Sequence, residues 1–297
     1  MKMASKGFLI FAHNNEEIDY LKLAAINARL IKHNCGISDV TVVTNQHSYD
    51  YTASTLGKDF LDQSISNFVF VEKDKTFKRT NVRAFKDTSH TIKNLSFYNL
   101  DRCDAYQLSP YDETILIDAD YLVLSDSLNN CWEHNNELMM NWCYEDLMYD
   151  RHDPALKRLS PTGITMYWAT VVYFKKCNYA EQFFNLVKEV RDNRSYYQDM
   201  YKWPGTLYRN DYSFSIAAHL IDGFEDKKLN QLPIPALYKT FDTDDIHSVP
   251  DVNEIIFYLE KQDSLGDFVL GRWKGMDVHV MNKWAINRVS EELLRCI

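Results

Sequence analysis

Glycine and proline are scarce, at 9 and 7 of 297 residues. That excludes a collagen-like repeat and leaves no room for a long flexible linker. No apolar run approaches the roughly 20 residues that a membrane-spanning helix needs. Near the start only Phe8 to Ala12 form an apolar stretch, too short for the hydrophobic part of a signal peptide, so a cytoplasmic protein is expected. The cysteines (35, 103, 131, 143, 177 and 296) form no CxxC pair and no zinc-type spacing. They read as reduced and structural. Basic residues are outnumbered by acidic ones, 33 to 42, for a net charge of −9. A field of that sign does not draw in nucleic acid or anionic membrane. The one dense basic run is Lys73, Lys75, Lys78, Arg79 and Arg83.

What is present is ordinary for a globular chain: 45% hydrophobic and 25% charged residues, with a heavy aromatic share of 14%. Phe8–Ala12, Val40–Thr44, Phe68–Val71 and Thr114–Asp118 read as buried strands. Between them Glu16–Lys32 carries apolar residues at Ile18, Leu21, Ala25, Ala28 and Ile31, which is helical spacing, and a second helical stretch is predicted around Thr88–Asp101. Continuous apolar strands alternating with helices predict an α/β fold, with a mostly parallel sheet covered on both faces. In such sheets ligands bind beyond the carboxyl ends of the strands. Three ends are polar: His13-Asn14-Asn15, Asn45-Gln46-His47 and Asp118-Ala119-Asp120. The second half is less regular. A strand is predicted over Gly163–Phe174, helices over Tyr179–Arg191, Asp211–Ile221 and Trp284–Cys296, and short strands over Leu229–Ile234 and Val278–Met281.

An Asp-x-Asp triplet by itself means little; Asp242-Thr243-Asp244 is a second one and reads as a solvated loop. Asp118 and Asp120 differ because they lie between two apolar runs, where ionised carboxylates are costly unless paired or bound to a cation. In extended chain, residues two apart point the same way, so both can reach one divalent ion. Oxygen ligands suit Mg²⁺ or Mn²⁺, which bridge to phosphates. Near the end of the chain His279 offers an imidazole that would complete the shell and favour Mn²⁺, and Lys283 a cation for a diphosphate. A packed histidine is the plainer reading of His279.

The run Tyr111-Asp-Glu-Thr-Ile-Leu-Ile-Asp-Ala-Asp-Tyr-Leu-Val123, preceded by an N-terminal strand and a strand ending in Thr-Asn, resembles the GT-A-fold glycosyltransferases, and most nearly glycosyltransferase family 8, the glycogenin-like retaining enzymes. The resemblance implies a single domain over residues 1–297, with a nucleotide-sugar-binding half (1–125) and an acceptor half with a C-terminal metal and diphosphate segment (126–297). It implies metal ligands Asp118, Asp120 and His279, and Lys283 at the diphosphate. Ala12, Asn14 and Asn45 would receive the base and ribose, and Arg83 or Lys93 would reach the donor phosphate or sugar. Asp211, in Tyr208-Arg209-Asn210-Asp211, resembles an acceptor-side residue that steadies the transition state; it also suits a helix N-cap. Thr165–Lys176 matches the acceptor-side strand of these enzymes but lacks its Asn and Gly. The usual His-x-x-Gly-x-x-Lys-Pro-Trp is also not reproduced, since Lys283 follows His279 by four residues with no proline.

The expected activity is transfer of a sugar from a nucleotide-sugar, UDP-sugar being favoured, to an acceptor that is a glycan, protein, small molecule or modified DNA, with retention of anomeric configuration. Should the reaction instead invert, Asp211, or after it Asp146, is the candidate base. Two alternatives stay open. One is a phage glycosyltransferase acting on hydroxymethylated DNA bases, which the scarcity of Gly and Pro would suit. The other is a nucleotidyltransferase or a non-catalytic nucleotide-sugar binder. The Tyr196, Tyr197, Tyr201, Trp203 and Tyr208 cluster reads either as packing or as a stacking surface for sugar or base.

Overall fold

The computed structural model describes residues 5–72, 77–85, 88–97, 99–148, 151, 157–203, 208–262, 264 and 266–297, with backbone alone for 77–85, 88–97 and 99. The first half runs β1 (Lys6–Phe11), α1 (Tyr20–Cys35), β2 (Val40–Thr44), α2 (Gln46–Leu56), α3 (Lys58–Ser64), β3 (Asn67–Phe70), β4 (Phe77–Phe85), β5 (Thr88–Phe97), a 3-10 turn (Asn99–Asp104), α4 (Ala105–Leu108), β6 (Glu113–Asp118) and β7 (Tyr121–Leu122). After a second 3-10 turn (Ser127–Glu133) come β8 (Leu138–Met140), β9 (Glu145–Asp146), β10 (Val171–Lys175), α5 (Asn178–Asp192), α6 (Arg194–Tyr201) and α7 (Asn210–Ile221). The last part is β11 (Tyr238–Lys239), β12 (Asp245–Asp251), β13 (Glu254–Glu260), β14 (Phe268–Lys274), β15 (Val278–His279), α8 (Lys283–Arg288) and α9 (Ser290–Cys296).

The main sheet has the order β3-β2-β1-β6-β10-β8. β3, β2, β1 and β6 are parallel; β10 and β8 join antiparallel. This is the largely parallel sheet flanked by helices that the apolar runs predicted. The runs are continuous because both faces are covered. Phe8, Ile10, Val42, Ile115 and Ile117 pack on the side of α1. Leu9, Phe11, Val43, Leu116 and Val172 pack on the side of α5 and α7, against Phe183, Phe184 and Phe214. Each large apolar side chain buried this way contributes roughly 1.5–3 kcal/mol. The rows close up so far that Gly7 has no space for a side chain. A Cβ there would sit 2.4 Å from the Tyr111 ring and 2.7 Å from the Asp39 carbonyl oxygen.

Local signals set the helix ends. Asp19 accepts from the Lys22 amide, so α1 starts at Tyr20 rather than Glu16, and Gly36 closes it with φ of 70°. The helix predicted around Thr88–Asp101 is instead strand β5, paired antiparallel with β4, followed by the 3-10 turn. The β-branched Thr88, Thr91 and Ile92 favour extended chain, and pairing with β4 outweighs the helical spacing of Ile92 and Leu95. The predicted strand from Gly163 begins only at Val171, and Leu229–Ile234 contributes only an isolated bridge from Asn230 to Met139. The closing helix is two short ones, α8 and α9. The cysteines are free thiols, and among the described residues no helix is long and apolar enough to cross a membrane.

Two small sheets complete the architecture. One has the order β7-β15-β11-β9 and carries the C-terminal segment onto the end of β6. The other is the antiparallel meander β12-β13-β14, on which Arg272 and Lys274 both pair with Glu254.

Candidate metal and diphosphate site

β6 delivers Asp118 to the carboxyl edge of the main sheet, where it lies in register with Phe11, the last residue of β1. The chain then turns through Ala119 and Asp120 into β7. β15 pairs antiparallel with β7, matching His279 to Tyr121, and the Val280 amide donates to the Asp120 carbonyl at 2.9 Å. These backbone bonds bring a residue from the far end of the sequence to the turn. Asp118, Asp120 and His279 each offer a ligand atom, and the three atoms lie within 4.8 Å of one another.

Each of the three is held by a further group. The Arg102 guanidinium, 1% exposed, donates to Asp118 Oδ1 at 2.7 Å and to the Ala169 and Thr170 carbonyls at 2.5 and 3.2 Å. Thr170 Oγ1 lies 3.3 Å from His279 Nδ1 and so orients the ring, while His279 Nε2 lies 3.4 Å from Asp120 Oδ2. Lys283 Nζ is 2.7 Å from that same Oδ2. Asp120 Oδ2 is thus a buried oxygen contacted by both the ammonium and the imidazole. Burial pushes the Asp120 carboxyl up, but Lys283 and His279 outweigh it and hold the group well below the usual carboxylate range. At Asp118 burial dominates. Arg102 offsets it only in part, the Asp120 charge adds to it, and the carboxyl sits above its ordinary value. Burial pulls Lys283 down, yet Asp120, Tyr20 and Asp242 together hold it above the usual lysine range.

Two carboxylates and one imidazole, gathered at one buried turn, form a donor set that fits a divalent cation of the Mg²⁺ or Mn²⁺ kind, the nitrogen favouring Mn²⁺.

Asp211 lies in the first turn of α7 but does not cap it; the capping position is Arg209. Its Oδ1 accepts from the Ala169 amide at 3.0 Å and its Oδ2 from Arg209 Nε at 3.1 Å. Asp211 is near enough to Asp118 to raise that carboxyl, so the two carboxylates share one neighbourhood. Asp146, the second base candidate, is committed elsewhere. It pairs with Arg151, which also clamps Asp244 with two bonds of 2.6 and 2.8 Å. The Asp242-Thr243-Asp244 triplet is therefore not a wholly solvated loop: Asp244 is 1% exposed and takes the Phe241 and Glu260 amides as well. Asn282 Nδ2 donates to the Asp244 carbonyl at 2.8 Å, which ties this cluster to the residue just before Lys283.

The residues expected around base and ribose lie at the same sheet edge, with structural duties. Ala12 is buried and its amide continues the β1–β2 pairing onto Val43. Asn14 Oδ1 accepts from the Leu21 amide and its Nδ2 donates to Thr52 Oγ1, fastening the end of β1 to α1 and α2. Asn45 caps α2 through the Ser48 amide. Arg83 and Lys93 fall on the hairpin strands, and their side chains lie outside the described residues, as do those of the basic run from Lys73 to Arg83. In the aromatic cluster, Trp203 and Tyr208 are buried, Trp203 lying 5.3 Å from the Tyr212 ring, while Tyr196 faces outward. Arg102, Thr170 and Arg209 were not singled out from sequence. Arg102 precedes β6 as Arg83 and Lys93 do, and nothing in the sequence marks it above them.

No protein-family model matches this sequence, and no curated protein matches it at a significant level. Solved structures similar to it include the galactosyltransferase LgtC in complex with donor and acceptor sugar analogs, at 13% identity over 71% of this chain and 70% of that one, with a TM-score of 0.41. The glycosyltransferase GlyE of Streptococcus pneumoniae is similar at 9% identity over 76% of this chain and 45% of that one, TM-score 0.40. A cytidylyltransferase from Leptospira borgpetersenii follows at 13% identity, 74% and 94% coverage and TM-score 0.32. Likenesses this weak assign no activity to this chain.

Proposed function

We propose that this chain is a metal-dependent, GT-A-type glycosyltransferase acting as one domain, with its donor half in residues 1–125 and its acceptor half in 126–297. The observation that carries the reading is the convergence of Asp118, Asp120 and His279 at the end of β6, with Lys283 against them. Asp118, Asp120 and His279 hold the cation. When bound, a divalent metal supplies Lewis-acid stabilisation of a departing diphosphate. Lys283 adds a positive charge on the same side. Asp211, steadied by Arg209 and the Ala169 amide, offers negative charge to the sugar as its bond to the diphosphate breaks. Ala12, Asn14 and Asn45 frame the edge that receives the base and ribose, Ala12 and Asn14 through backbone as much as side chain. Arg83 and Lys93 remain candidates for the donor phosphate. A nucleotidyltransferase would need a glycine-rich, basic phosphate loop after β1, and residues 12–19 contain no glycine, lysine or arginine.

A thermal-shift panel of UDP-, GDP-, CMP- and dTDP-sugars, with and without Mn²⁺, tests the reading. A stabilisation of several degrees is expected for one donor, UDP-sugar first, only with Mn²⁺, and EDTA should abolish it. Donor binding that persists in excess EDTA would refute metal dependence. Retention is expected because the metal and Lys283 both serve the leaving group, while Asp211 is engaged by Arg209. The anomeric proton coupling of the product, read by NMR, decides this; an inverted product would make Asp211 the general base.

A further inference from the structure

Asp118 and Asp120 are each neutralised by a cation of the chain's own, and the two cations are held in opposite ways. Arg102 is buried and anchored on backbone carbonyls as well as on Asp118, so it has nowhere to go. It binds Oδ1 of Asp118 and leaves the other oxygen open to a ligand. Lys283 is 27% exposed, stands on the first residue of α8 at the end of a flexible stem, and otherwise donates only a long bond, 3.5 Å, to the Met281 carbonyl among the described residues. It touches Asp120 Oδ2, the very oxygen that faces His279 Nε2. A divalent ion bound by that oxygen and that nitrogen would repel an ammonium held 2.7 Å from the same oxygen.

We propose that Lys283 is an exchangeable countercation. It neutralises Asp120 until a divalent ion arrives, is then displaced from Oδ2, and is recaptured by the diphosphate that accompanies the ion. The inference rests on the metal reading above and gives it an order. The two carboxylates are already balanced by Arg102 and Lys283, so a metal ion alone leaves two uncompensated positive charges in a partly buried site. The diphosphate of a nucleotide cancels them. The site therefore takes cation and diphosphate as a coupled pair, each tightening the other by the same factor.

The test is acetylation footprinting of Lys283 by mass spectrometry, on the full chain, in metal-free buffer, with Mn²⁺, and with Mn²⁺ plus UDP, alongside calorimetry of Mn²⁺ and UDP binding. Lys283 should be protected without metal, become several-fold more reactive with Mn²⁺, and be protected again once UDP is added. In Asp120→Asn it should be reactive from the start and unresponsive to Mn²⁺. In calorimetry UDP should bind at least tenfold more tightly with Mn²⁺ than without, and Lys283→Met should shrink that coupling while Mn²⁺ alone binds more tightly. If Mn²⁺ binds but Lys283 reactivity does not change, the exchange is wrong and the metal site stands. If Mn²⁺ does not bind at all, both are wrong.

Discussion

Asp120→Asn is expected to lower kcat/KM by on the order of 10³-fold, a loss of the size seen when one fixed electrostatic stabiliser is removed. The variant loses the charge that opposes Lys283 and one of the three groups proposed to hold the cation, so donor binding should no longer respond to Mn²⁺. Folding should survive, because Asp120 stands in a turn at the rim of the sheet and its backbone bond to Val280 is untouched. Steady-state kinetics and a melting curve on the same preparation check both halves. A variant that keeps full Mn²⁺-dependent activity would remove Asp120 from the metal shell. One that fails to melt cooperatively would make the residue structural.

The second large effect lies behind the site. Arg151→Met is expected to destabilise the protein by about 3–5 kcal/mol, because breaking a buried ion cluster leaves its remaining charges uncompensated. Asp146 and Asp244 are 5% and 1% exposed, and Arg151 is the cation that bonds both of them. Burial already pushes the Asp146 carboxyl up despite Arg151, so without the guanidinium it would have to protonate or draw in water. A fall in Tm on the order of 10 °C, followed by circular dichroism, is the expected reading. A change of a degree or two would show that the cluster is wet and weak. Since Asn282 is tied to Asp244, the variant should also weaken Mn²⁺ binding at temperatures where it remains folded.

How much of this was legible in the chain differs by element. The strands at Phe8, Val40 and Thr114 announce themselves because a doubly covered parallel strand is apolar at every position. Asp118 and Asp120 stand out for the reason that makes them useful, as charges between two apolar runs. His279 and Lys283 are candidates by residue type, and only the resemblance ties them to Asp118 and Asp120; the β7–β15 pairing that makes the contact joins residues 121 and 279 and has no local signal. Arg102 was missed because a buried arginine and a surface arginine have the same sequence context until the carbonyls of Ala169 and Thr170 are in place. Asp244 was misread for a similar reason. Its partner, Arg151, is distant in sequence, and a lone Asp-x-Asp in a polar stretch gives no hint of burial. The β4–β5 hairpin was lost where helical spacing and β-branched composition competed within one segment.

The pairing of β15 with both β7 and β11 has a consequence for how the protein comes into being. Asp118 and Asp120 lie at the end of β6 and in the turn after it, whereas His279 reaches them only when the intervening chain, from residue 121 to 278, has closed on itself. Closing a loop that long is slow compared with forming local helices and hairpins. The proposed ligand set is thus complete only in the closed state, and a cation held by it would favour that state over its precursors. Added during refolding, Mn²⁺ should leave the early phases unchanged and retard unfolding, acting as a clasp across the last seam to shut.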